Sequence, residues 1–61
     1  MREQELWAGL NRALGPSYAP AWSEQVVLAE LGGRTVLEAL AAGVPCKTIW
    51  RAACAQLELD A

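Results

Sequence analysis

The side chains that could do acid–base chemistry in this sequence are nearly all carboxylates. They are spread along the whole chain: Glu3, Glu5, Glu24, Glu30, Glu38, Glu58 and Asp60. The sequence has no His, so it lacks the side chain whose ordinary pKa lies nearest neutrality, which is also the commonest transition-metal ligand. Carboxylates gain a useful pKa through burial, which 61 residues can hardly provide. We expect no enzyme, no catalytic residue, no cofactor, no resident metal and no small-molecule ligand.

Cys46 and Cys54 are the only thiols. Both fall in a segment that we predict to be one helix, where a rise of about 1.5 Å per residue separates their Cα atoms by about 12 Å. A disulfide needs Cα atoms within about 7 Å, so the prediction excludes an internal bridge. We expect Cys54 to fill space in the core and Cys46 to lie near the surface in the first turn of the helix.

Gly and Pro residues divide the chain into four segments, each with apolar residues at helical spacing. The predicted helices cover residues 2–14, 17–31, 35–43 and 45–57, and the second could instead begin at Pro20, with Tyr18 packed in the loop before it. No segment alternates with a period of two. The sequence therefore predicts an all-α protein, a single domain over residues 1–61 with four short helices around one core.

The predicted core follows one face of each helix. Its members are Leu6, Trp7, Leu10, Ala13 and Leu14, then Tyr18, Trp22, Val26, Leu28, Ala29 and Leu31, then Val36, Leu37, Leu40 and Ala41, and finally Ile49, Trp50, Ala53, Cys54 and Leu57. A core of this size is thin, and the three Trp residues are expected to supply much of its buried area. The alternative for a Trp is a place on the surface, in contact with a partner.

The segment from Gly32 to Glu38 combines a turn with a helix start. Thr35 and Glu38 have the spacing of a capping box, in which each side chain accepts a backbone N–H of the other residue. We interpret Gly32 and Gly33 as a tight turn between helices, with Glu30 and Arg34 close enough to pair across it. Anion binding at this glycine pair is a weaker alternative.

The last two predicted helices resemble a helix-turn-helix. Ala39 stands four residues before Gly43, and Ile49 six residues after it, which is the spacing of the motif. Ala52 departs from the pattern, which favours a larger aliphatic residue there. The second helix would present Lys47, Thr48, Arg51 and Gln56 to solvent. Two interpretations stay open: a DNA-binding motif, and a helical hairpin that serves only for packing.

The overall charge argues mildly against a dedicated nucleic-acid binder. Five basic and seven acidic residues give a net charge of −2 and an isoelectric point near 4.8. Between Gly33 and Leu57, however, the local charge is +2, from Arg34, Lys47 and Arg51 against Glu38. No apolar run is long enough for a membrane helix, and the acidic start does not resemble a signal peptide. We expect a cytoplasmic protein with reduced thiols.

Three strings carry a family resemblance: LAELGGRTV at 28–36, ALAAGVP at 39–45 and WRA at 50–52. Together with Leu6, Trp7, Tyr18 and Trp22, they resemble the actinobacterial family called domain of unknown function 3046. The resemblance implies a short helical cytoplasmic protein, often encoded close to the RecA recombinase and its regulator RecX. It implies no activity that can be assigned to particular residues.

These observations lead to two hypotheses about function. The first is an interaction module that binds a protein partner, with RecA and RecX as the candidates that the resemblance implies. Its contact residues would be Arg34, Lys47 and Arg51, with Trp50 at the edge. The second is a weak DNA-binding protein that uses Lys47, Thr48, Arg51 and Gln56. An apolar patch that no partner covers would favour self-association instead.

Overall fold

The computed structural model describes residues 1–58, and its regular structure there is helical. The four α-helices are α1 (Glu3–Leu14), α2 (Ala19–Gln25), α3 (Val36–Ala41) and α4 (Cys46–Leu57), and a 3₁₀ turn (Ala29–Leu31) lies between α2 and α3. Within the described residues the only β pairing is one isolated bridge, between Leu28 and Arg34. The predicted all-α class with four short helices is confirmed. The predicted carboxylate Asp60 lies outside the described residues.

Helix α1 forms where the sequence predicts it. Leu6 and Leu10, one turn apart, are both fully buried. At the start of the helix the backbone N–H of Arg2 donates to Glu5 Oε1 at 2.9 Å, and at the end Gly15 adopts a φ of 91° that favours glycine. Ala13 was expected in the core and is exposed, because it lies at the edge of the apolar face.

The second predicted helix is wrong beyond Gln25. The chain becomes extended at Val26, where the β-branched pair Val26 and Val27 favours extended backbone over a helix. The Leu28 N–H then donates to the Arg34 carbonyl at 2.9 Å, and the Gly33 N–H donates to the Leu28 carbonyl at 3.1 Å. This closed loop buries Leu28 as well as Leu31, whereas a continuous helix could not form these bonds.

Two other core predictions in this half of the chain are also wrong. Tyr18 is 54% exposed, because α2 already begins at Ala19 and the ring lies outside its packed side. Ala29 is exposed, because the 3₁₀ turn directs Leu31 inward in its place. The predicted Glu30–Arg34 pair does not form, since no ion pair within 4.0 Å occurs between the side chains of residues 1–58.

Helix α3 begins with the predicted capping box. The Glu38 N–H donates to Thr35 Oγ1 at 3.1 Å, and the Thr35 N–H donates to Glu38 Oε1 at 2.9 Å. The helix has only six residues and buries Val36 and Ala39. Leu37 and Ala41 were expected inside and are exposed, because so short a helix presents only one narrow face to the core.

Helix α4 is the longest helix in the C-terminal half of the described chain. It buries Ile49, Ala52, Ala53 and Cys54 and packs against α1, α3 and the 3₁₀ turn. The helix begins at Cys46, one residue later than predicted, and Pro45 is its N-cap and not its first helical residue. Because α4 contacts elements from both halves of the chain, its buried face is fixed, and its opposite face is presented to solvent in one defined orientation.

The core confirms part of the prediction for the Trp residues. Trp22 is buried among Leu6, Leu10, Leu28, Ile49 and other apolar side chains, while Trp7 and Trp50 pack at its margin. The three rings therefore do not form one common cluster of equally buried residues. Among the helices over residues 1–58, none is both long and apolar enough to cross a membrane.

Candidate interaction surface

Helix α4 carries four of the six residues predicted to contact a partner. Lys47, Thr48, Arg51 and Gln56 are all exposed, and we call these four residues the α4 surface. Lys47 and Arg51 stand four residues apart, so they are neighbours on the helix. Their exposure follows from the burial of Ile49, Ala52 and Ala53 on the other side of the same helix.

Arg34 lies on a different element from the α4 surface. Its carbonyl accepts the Leu28 N–H that closes the loop, and its side chain is exposed. The 3₁₀ turn inside that loop contacts α4. The backbone of Arg34 therefore closes the loop, while its guanidinium remains available to solvent beside a segment packed on α4.

Trp50, the sixth predicted residue, packs at the edge of α4 that faces α1. A Cβ atom placed on Gly9 would lie 2.8 Å from Trp50 Cζ3 and 2.9 Å from Trp50 Cη2, closer than carbon atoms normally approach. The indole ring therefore lies directly on the backbone of α1 at Gly9. This contact needs a residue without a side chain, which explains a glycine inside a helix where it costs about 1 kcal/mol relative to Ala.

An open groove runs along α1 beside this ring. Its volume is about 320 Å³, and its lining consists of Met1, Glu5, Ala8, Gly9, Arg12 and Trp50. We call it the Trp50 groove. The sequence predicted a contact role for Trp50 but not for Met1 or the four groove residues on α1, and the one available signal was Gly9 in the middle of an amphipathic helix.

The cations of these two surfaces are not neutralised within the described part of the chain. No side chain of residues 1–58 forms an ion pair within 4.0 Å, so Arg12, Lys47 and Arg51 are all open to a partner. The Glu5 carboxylate accepts the Arg2 N–H and lies in the Trp50 groove. The α4 surface is thus purely cationic, whereas the groove contains one charge of each sign.

The two thiols lie on α4, as predicted. Both are free; Cys54 is buried and Cys46 is half-buried. Burial raises the pKa of the Cys54 thiol, which lowers the fraction of nucleophilic thiolate at neutral pH. Within residues 1–58 no group of three His, Cys, Asp or Glu residues is placed to hold a metal ion.

The connection between α3 and α4 has features that a helix-turn-helix needs. Ala39 and Ile49 are fully buried, and Gly43 has a φ of 84° in the turn. Ala52, the departure from the pattern, is also buried. Any closely packed helical hairpin uses the same features, so the helix-turn-helix interpretation stays a prediction.

The comparisons with known proteins concern nearly the whole chain. One family model, described as "Protein of unknown function (DUF3046)", matches residues 1–60. No curated protein and no solved structure is significantly similar to the chain. The matched range includes all four helices and both surfaces described above. The chain therefore belongs to the DUF3046 family, as the LAELGGRTV and ALAAGVP strings predicted.

Proposed function

We propose that this protein is a non-enzymatic interaction module whose α4 surface binds a protein partner. The observation that carries the proposal is the pair Lys47 and Arg51, exposed and one turn apart on a helix whose other side is fixed in the core. A fixed backbone lowers the entropy that binding would otherwise cost. The partner would present carboxylates to these two cations.

The residues around this pair define the rest of the contact. Thr48 supplies a hydroxyl beside the pair, Gln56 supplies an amide nearer the C-terminal end of α4, and Arg34 adds a cation on the loop beside the helix. Trp50 lies one turn from Lys47 and supplies an aromatic edge that is half-buried. A partner segment with acidic side chains and one apolar side chain would match this arrangement.

The first partners to examine are RecA and RecX. The family resemblance implies genes that lie close to theirs, which is an association of genes and not a physical argument. The lack of His and of a metal-ligating group among residues 1–58 supports a binding role over catalysis. A catalytic role would require a turnover that depends on an added substrate or metal.

The test measures binding of purified RecA and of purified RecX by isothermal titration calorimetry. We expect one of them to bind, and the double variant Lys47→Glu/Arg51→Glu to bind at least about tenfold more weakly, which corresponds to about 1.4 kcal/mol. The matched control is Arg2→Glu, which reverses an exposed cation far from α4 in the sequence. Circular dichroism checks that each variant remains folded.

Two results would contradict the proposal. If neither protein binds, the assignment of the partner to RecA or RecX is wrong. If one binds but the α4 double variant binds as tightly as the Arg2→Glu control, the α4 surface is not the contact. Because both reversed positions are exposed, loss of the fold does not account for a loss of binding.

A second candidate function is weak DNA binding through the same residues. The packing of Ala39, Gly43 and Ile49 favours it, because these are the positions that bring the two helices of a helix-turn-helix together. Lys47 and Arg51 would then contact phosphates, with Thr48 and Gln56 near base edges. This function predicts affinity for duplex DNA that falls steeply with salt and is lost in Arg51→Ala.

A further inference from the structure

We infer that the Trp50 groove is a self-complementary surface on which a second copy of this chain docks, with the two α1 helices antiparallel. This inference does not depend on the α4 surface, which lies on another helix. It concerns Glu5 and Arg12, two charged residues at opposite ends of the groove, and the small residues Ala8 and Gly9 between them.

The spacing of the α1 residues in the groove is that of a two-helix seam. Glu5, Ala8 and Arg12 follow one another on α1 at intervals of three and four residues. This is the 3.5-residue period with which one helix contacts another along its length. Leu6 and Leu10 occupy the other side of α1 and bury it in the core, so the seam is a second, outward face of the same helix.

The charges on the seam cannot satisfy each other within one chain. Glu5 and Arg12 are seven residues apart on α1, a separation of about 10.5 Å along the helix axis. Arg12 has no ion pair within 4.0 Å among residues 1–58. The chain thus presents an exposed guanidinium and, seven residues before it, an exposed carboxylate of which one oxygen accepts the Arg2 N–H.

A second copy of the chain, related to the first by a two-fold axis between Ala8 and Gly9, would present the opposite charges at the same separation. In a two-fold interface, a contact from residue i to residue j occurs twice. Glu5 then faces Arg12 of the partner subunit, and Arg12 faces Glu5 of the partner subunit. Ala8, the smallest side chain on the open part of the seam, lies at the crossing point, while Gly9 beside it is covered by the Trp50 ring of its own chain.

The size of the groove makes the expected dimer weak. A seam of three α1 side chains, Glu5, Ala8 and Arg12, and one Trp ring buries far less than the roughly 1,200 Å² of a stable standard-sized interface. We therefore expect association at protein concentrations near the millimolar range, weakened by salt because two ion pairs contribute to it. Trp50, beside the seam, would be covered in the dimer.

The experiment uses two charge reversals in the full chain, Glu5→Arg and Arg12→Glu, studied by sedimentation equilibrium at about millimolar concentration and low salt. Each variant alone places like charges opposite each other, and we expect each to associate at least about tenfold more weakly than the wild type. An equimolar mixture of the two restores both pairs in a heterodimer. We expect the mixture to associate as strongly as the wild type.

Controls separate the dimer from effects on folding. Arg34→Glu changes the net charge as Arg12→Glu does, at an exposed residue outside the groove, and should leave association unchanged. Because Glu5 also accepts the Arg2 N–H, circular dichroism verifies that Glu5→Arg still forms α1. A wild type that remains monomeric overturns the inference, as does a mixture that associates no better than its components. A wild-type dimer insensitive to both reversals places the contact elsewhere and also overturns it.

Discussion

At the scale of single residues, the contact between Gly9 and Trp50 sets how closely α1 and α4 approach. We predict that Gly9→Ala destabilises the protein by up to about 2 kcal/mol, because the new methyl group meets the indole ring at 2.8–2.9 Å. In an unobstructed helix the same change would instead stabilise by about 1 kcal/mol. Urea unfolding measures the change in stability, and the NMR signal of the Trp50 indole N–H reports whether the ring moves.

The control for this prediction is Ala13→Gly. Ala13 is exposed on α1, so the variant measures the helix propensity of α1 without a clash. A loss of about 1 kcal/mol is expected for it. Stabilisation by Gly9→Ala, together with an unchanged Trp50 signal, would contradict the close contact.

Ser23 is a polar residue inside the core. Its side chain is fully buried in α2, and its Oγ has no hydrogen-bond partner among the described residues. We predict that Ser23→Ala raises the free energy of unfolding by about 0.5–1 kcal/mol, because it removes an unsatisfied hydroxyl and improves helix propensity. Thermal unfolding compares it with Ser17→Ala, an exposed serine outside the helices. A loss above about 1 kcal/mol would show that the hydroxyl has a partner.

The buried Cys54 thiol makes stability depend on pH in the alkaline range. Burial raises the pKa of Cys54 above its value in the unfolded chain, which is near 8.5 for a free thiol. As the pH rises above about 8.5, the unfolded chain releases this proton first, so stability falls until the pH passes the folded pKa. We predict that Cys54→Ala removes this decline above about pH 8.5, measured by urea unfolding. An unchanged decline in the variant would assign it to another group.

At the scale of elements, the cap of α3 has the clearest energetic role. Thr35 and Glu38 exchange two hydrogen bonds at the start of a helix of only six residues. We predict that Thr35→Ala lowers the stability by about 1 kcal/mol, because the Glu38 N–H loses its acceptor. Glu38→Gln keeps an oxygen acceptor for the Thr35 N–H and should cost less. Equal losses in the two variants, measured by urea unfolding, would contradict the separate roles of the two bonds.

The elements that depend on local interactions could be predicted from the sequence. The helices α1 and α4 and the capping box of α3 follow from apolar spacing, Gly and Pro positions and the Thr35–Glu38 pair. The break after Gln25 could not be predicted in this way. It depends on the bonds between Leu28 and the chain at Gly33 and Arg34, and on burial of Leu28 and Leu31 together, which are tertiary interactions.

The candidate site could also be predicted only in part from the sequence. The exposure of Lys47, Thr48 and Arg51 follows from the helical periodicity of α4 alone. Gln56 lies on the same side of the helix as Ile49 and Ala52, and it is exposed close to the C-terminal end of α4. The Trp50 groove does not, because Gly9 and Trp50 are far apart in the sequence and meet only when α1 packs on α4. Periodicity identifies which side of a helix faces outward but cannot identify the neighbouring helix.

At the scale of the whole molecule, the small core and the charged surface have separate roles. The core draws residues from every helix and from the 3₁₀ turn, so each element is held by the others. The net charge of −2 hides a cationic α4 surface and a groove with one charge of each sign. The function proposed here depends on that local arrangement and not on the overall charge.

The most direct test of this proposal is an amide-resolved NMR titration of the isotope-labelled protein with purified RecA, with purified RecX and with duplex DNA. We predict that one of the two proteins perturbs signals from Lys47 to Arg51 and at Arg34, and that Lys47→Glu/Arg51→Glu removes these changes. Salt-sensitive perturbation of the same signals by DNA alone would contradict it and favour the helix-turn-helix function. Perturbation by RecA or RecX confined to residues outside α4 would contradict it as well.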